Sequence, residues 1–104
     1  MKRRQARTGK SDSQAREDGA SALAIAALSF IAEDPERLGR FLAMSGIGPD
    51  SLRAAAREPG FLLGVLDYVT GDEALLLALS DSAGIDPVDI ARARDVLAGE
   101  VPRQ

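Results

Sequence analysis

Apolar residues recur along most of the 104-residue chain at steps of three and four. No stretch alternates with period two, so the pattern reads as helices without strands. The most apolar segment is Gly60–Leu79, GFLLGVLDYVTGDEALLLAL. Phe61, Leu62, Val65, Leu66 and Val69 mark one helix face, and Leu75, Leu76 and Leu79 resume it after a break at Thr70-Gly71-Asp72-Glu73. Thr70 and Glu73 have capping-box spacing, which predicts that Thr70 starts a new helix. The result is a hairpin of two helices, Pro59–Leu79, expected at the centre of the fold.

The flanking segments follow the same logic. A helix is expected over about Gly19–Glu33, where Leu23, Ala26, Ala27, Phe30 and Ile31 share a face. Ala24, Ile25, Leu28 and Ala32 make it apolar nearly all round, the signature of a buried helix. Asp34-Pro35-Glu36 caps and opens a second helix to Met44, burying Leu38, Phe41 and Leu42 and showing Arg37 and Arg40 to water. Pro49 opens a short third helix, buried through Leu52, Ala55 and Ala56, and Asp86-Pro87 opens the last, with Ile90, Ala93, Val96 and Leu97 as its stripe. Gly46 and Gly84 stand where helices end in a left-handed residue.

Two corners echo each other at an offset of 38 residues: Gly46-Ile47-Gly48-Pro49 and Gly84-Ile85-Asp86-Pro87. Duplication and convergence both account for one pair of matches. The second corner also has the outline of a DNA-binding helix-turn-helix, yet its second helix sets Asp86, Asp89 and Asp95 against Arg92 and Arg94. Those acids oppose approach to a polyanion. A structural corner is the simpler reading. Gly60-x-x-x-Gly64 reads as the close crossing of two helices, since no 20-residue apolar span surrounds it.

Composition narrows the chemistry. The chain has no Cys and no His, which removes disulfides, thiolate metal sites and imidazole catalysis. A serine nucleophile would have only lysine as base, and both lysines lie near the N-terminus. No calcium loop or phosphate-binding glycine loop occurs. No segment has the length and hydropathy of a membrane span or signal peptide, so a cytoplasmic protein is expected. With one Tyr, three Phe and no Trp, the core must be small and Leu/Ala-lined.

Charge is uneven. Residues 1–16 carry six basic residues against one acidic, net +5, while residues 17–104 carry seven against fifteen, net −8. A basic tail joined to an acidic body can contact nucleic acid unspecifically, with a salt slope of about −4.5 if every net charge meets a phosphate. It can equally remain a solvated tail. The candidate nucleic-acid or anion contacts are Lys2, Arg3, Arg4, Arg7, Lys10 and Arg16, with Arg53 and Arg57 in the body.

Asp34-Pro35-Glu36-Arg37-Leu38, Phe41-Leu42, Ser45-Gly46-Ile47-x-Pro49, Leu52-Arg53, Pro59-x-Phe61-Leu62 and Leu66-Asp67 together form a specific pattern. Over about residues 20–98 the chain resembles small alphaproteobacterial proteins grouped as domain-of-unknown-function family 3572. The resemblance implies a helical bacterial domain and carries no activity, cofactor or site residue.

The expected fold is all-α: a compact single-domain bundle of five or six short helices with Pro-initiated starts. It spans residues 17–98 between a disordered basic tail, 1–16, and a short C-terminal tail, 99–104; the alternative is that the Ser11-x-x-Gln14 spacing begins the first helix early. The expected role is non-catalytic, an interaction domain that binds another protein or itself. The alternative is a nucleic-acid-associated protein using the tail and a helix-turn-helix-like corner. No cofactor, metal or membrane span is expected.

Overall fold

The computed structural model describes residues 9–99, with side chains from Gln14 onward. Within them the chain forms α1 (Gly9–Ala32), α2 (Pro35–Ser45), a single 3-10 turn (Pro49–Ser51) running into α3 (Leu52–Ala55), α4 (Pro59–Thr70), α5 (Glu73–Ala83) and α6 (Pro87–Leu97). No strand occurs among the described residues. The all-α bundle is therefore as expected.

Local chemistry sets most helix ends. The Asp34 carboxylate accepts the Glu36 N–H at 2.9 Å and the Asp86 carboxylate accepts the Val88 N–H at 3.0 Å. Each is followed by a proline in the first turn, where a missing N–H costs nothing. Gly46 and Gly84 end α2 and α5 at φ 74° and 68°, a region open to glycine without strain.

Two boundaries differ from expectation. α1 begins at Gly9, ahead of the Gly19 start that apolar periodicity indicates, so residues 9–16 of the stretch read as a disordered tail are helical. Residues 1–8 and 100–104 lie outside the described residues. Thr70 does not cap α5: it remains in α4, donating its hydroxyl to the Leu66 carbonyl oxygen at 2.9 Å. Asp72 is the cap, its carboxylate accepting the Leu75 N–H at 3.1 Å. Thr70 is still the last residue of α4, whereas Asp72 has the extended backbone of a cap residue, φ −129° and ψ 103°.

Packing corrects the expected centre. α1, α4 and α6 form the most extensively packed trio, with α5 lying closer to the edge. The core joins Ala20, Ala24, Ala27 and Ile31 of α1 with Leu62, Val65, Leu66 and Val69 of α4, Leu79 of α5, and Ile90 and Ala93 of α6. Small residues on α1 let α4 and α6 approach closely, and each fully buried Val, Leu or Ile contributes roughly 1.5–3 kcal/mol relative to exposure. α1 is not buried all round, since Ile25, Ala26 and Ala32 are exposed. The helices packed on α1, namely α2, α4, α5 and α6, cover only part of its circumference. The two glycine corners also diverge beyond the turn. Ile85 packs on the core with its carbonyl held by the Ser80 hydroxyl, whereas the Ile47 N–H reaches the Ser45 hydroxyl at 3.3 Å.

Candidate functional site

An apolar concavity lies between α2 and α4. On α2, Phe41, Met44 and Ser45 follow one another at helical spacing, and on α4 Gly60, Gly64 and Tyr68 stand four apart with Phe61 beside them. These residues and Ile47 line a groove of about 400 Å³. Its floor is aromatic. Phe41, 3% exposed, meets Phe61 edge-on with centroids 5.8 Å apart and Tyr68 edge-on at 5.1 Å. Such pairs contribute about 0.5–1.5 kcal/mol beyond area burial. Phe41 of α2 thereby contacts α4 through two of its aromatic rings.

The glycines are the unexpected part. The Gly60-x-x-x-Gly64 spacing predicts a close helix crossing, but a side-chain carbon at either glycine would meet nothing within 4 Å. Both face the open groove. Met44 stands 74% exposed on the opposite wall. The polar groups lining the groove near this end are already engaged. Ser45 donates to the Leu42 carbonyl at 3.3 Å, and Asp67 accepts from Arg94 at 2.7 Å. What the groove offers is therefore apolar contact.

Past Tyr68 the character changes. Tyr68 also lines a smaller cavity of about 190 Å³ between α2 and α5, together with Arg37, Arg40 and Asp72. Arg37 is not simply hydrated, as the α2 pattern suggested. Its guanidinium lies 4.1 Å over the Phe30 ring and donates to the Phe30 carbonyl oxygen at 3.2 Å, with Asp34 4.0 Å away. Stacking and hydrogen bond together hold it in place. Arg40 is exposed and has no ion-pair partner among the described residues. α2 thus runs antiparallel to α4, with the apolar groove toward its C-terminal end and a separate arginine-lined cavity, joined to it at Tyr68, toward its N-terminal end.

The sequence-derived candidates fall elsewhere. Lys2, Arg3, Arg4 and Arg7 lie outside the described residues, and Lys10 lies in the first turn of α1. Arg16 is exposed beside Asp89 and Arg92 where α1 meets α6. Arg53 sits instead against Ile25, Ser29 and Ala32, some 13 positions further along α1, roughly 20 Å at 1.5 Å per residue. Arg57 is exposed in the turn after α3. Arg16 and the Arg53 region therefore do not form one patch. In the helix-turn-helix-like corner, Arg92 pairs with Asp89 at 3.6 Å, and Arg94 contacts both Asp67 and Asp95. Both arginines are met by acids on the helix that would have to face a nucleic acid.

Among the described residues no group of three or more carboxylates could hold a metal ion, and no helix is long and apolar enough to cross a membrane. The groove escapes sequence reading because its aromatics look like core and its glycines like a crossing. The usable signal was the pair of glycines in the most apolar helix of the chain.

A family model described as protein of unknown function, DUF3572, matches residues 17–100. No curated protein and no solved structure matches the chain.

Proposed function

Because the chain belongs to the DUF3572 family, whose description assigns no activity, we propose its role from the groove: a non-catalytic interaction domain that docks a partner protein between α2 and α4. The observation that carries this reading is the open glycine face of α4 opposite the exposed Met44, above a floor of three aromatic rings. An apolar concavity of this kind is a common form of binding site on a small domain. The pairing of Arg92 and Arg94 with carboxylates favours a protein partner over the nucleic-acid alternative.

Size-exclusion chromatography with light scattering and affinity capture from host lysate, on the native chain and on Met44→Glu, test it. The native chain should show a mass shift or retain a partner, and the variant should lose it with its helical content unchanged. A native chain that stays monomeric and captures nothing that Met44→Glu fails to capture would refute the docking role.

A further inference from the structure

Taking that docking reading as its basis, we propose that the groove receives an amphipathic helix of another protein, two turns of which are apolar and one end of which is acidic. Its apolar side lies over Gly60, Gly64 and Phe61, and its carboxylate meets Arg40 and Arg37 beside the Tyr68 hydroxyl.

Three observations converge on this occupant. The glycines let a helix backbone come close, where an ordinary side chain would hold it off at the usual 8–10 Å or more. From Gly60 to Tyr68 the groove spans eight residues of α4, about 12 Å, which matches two turns of a docked helix. Flexible Met44 can adapt to the side chains that enter, as methionines do in other helix-binding grooves. At the far end Arg40 has no ion-pair partner among the described residues, while Arg37 already stands 4.0 Å from Asp34 and the Asp72 carboxylate is bonded to the Leu75 N–H. Arg37 is already fixed on Phe30, so little freedom is lost when it binds. Tyr68 has no hydrogen-bond partner among the described residues and adds a donor at the junction.

A second copy of this chain fits poorly. Its exposed large apolar residues, Ile25, Met44, Leu77 and Val88, fall on four different helices, so no described helix presents a two-turn apolar stripe. A fatty acid suits an enclosed cavity better than this open trough. Residues 17–104 are acidic overall, so the carboxylate must be confined to the end that touches Arg40, with the flanks of the occupant neutral or basic.

Tyr68 makes the test direct. It is the only tyrosine of a chain without tryptophan, so tyrosine emission reports on the groove alone. The full chain is titrated with two synthetic helical peptides free of aromatic residues, each about three turns long with the same Leu/Ala stripe. One ends in glutamates and the other in lysines, and laurate serves as a third probe. The acid-ended peptide should bind about tenfold more tightly, the scale of one charge-assisted contact. Arg40→Gln should erase that preference, and Gly64→Leu, which fills the groove, should abolish binding of both. Equal binding of the two peptides, blocked by Gly64→Leu, overturns the acidic-end assignment while leaving the groove as a docking site. Binding indifferent to Gly64→Leu sinks the docking reading as well. No binding of either peptide, or binding of laurate alone, overturns the helical occupant.

Discussion

Gly64 sits at the sixth position of α4, in the interior of a twelve-residue helix and exposed to solvent. A glycine there costs about 0.8–1.0 kcal/mol relative to alanine, because it loses more backbone freedom on folding and exposes the backbone to water. The cost would be justified for stability only if a neighbour needed the space. None does, since a side-chain carbon at this position meets nothing within 4 Å. Gly64→Ala should therefore stabilise the fold by about 0.5–1 kcal/mol, which in a domain of this size corresponds to a rise in Tm of about 2–8 °C. Thermal unfolding followed by far-UV circular dichroism measures it. Gly39→Ala is the matched control: Gly39 is helical and exposed in α2, equally unobstructed, and does not line the groove. Both variants should gain similar stability, and only Gly64→Ala should weaken docking, because its methyl group enters the groove. If Gly39→Ala stabilises and Gly64→Ala destabilises, the glycine face is covered in the free protein and the open groove is wrong. If both gain stability and docking is untouched, the partner binds elsewhere. A glycine kept at a stability cost fits a functional surface.

Three further outcomes follow from the packing and the caps. Asp72→Ala should lower stability by about 1 kcal/mol in urea unfolding and Thr70→Ala by less than about 0.5 kcal/mol, since Asp72 alone serves the first turn of α5; the reverse ranking would restore Thr70 as the cap. Leu79→Ala, at a fully buried position, should cost about 2–5 kcal/mol with an unchanged urea slope; a loss below about 1 kcal/mol would mean α5 is not docked on the core as described. Arg94→Gln should cost only about 0.2–1 kcal/mol, because its side chain and that of Asp67 are 30% and 50% exposed, and the loss should shrink in high salt; a larger, salt-independent effect would show that the pair is a structural clamp.

The fold was legible where short-range chemistry decides. Asp34 with Pro35, Asp86 with Pro87, Gly46 and Gly84 act within a few residues of themselves, so their roles can be read without knowing what surrounds them. Two readings failed where local signals compete. Thr70 and Asp72 are both eligible caps two residues apart, and the choice fell to Asp72 because α4 continues through Thr70 and Asp72 is the residue with extended backbone. The early start of α1 had only the Ser11-x-x-Gln14 spacing to signal it, because residues 9–16 have no apolar stripe; once the packed part of a helix has nucleated, each added residue requires only propagation.

The candidate site shows the same division more sharply. Sequence alone determined that the chain is helical, where most helices begin and end, which residues are apolar, and that thiol and imidazole chemistry are absent. It also supplied the family pattern that residues 17–100 bear out. Only the tertiary structure decided that Phe41 stands between Phe61 and Tyr68, that Gly60 and Gly64 face open space instead of another helix, and that Arg37 is pinned over Phe30 beside Arg40. Caps and periodicity are fixed by atoms a few residues apart. Whether an apolar face is filled depends on how helices distant in sequence are placed, and between α2 and α4 the Phe41, Phe61 and Tyr68 rings pack together while the glycine face of α4 stays open.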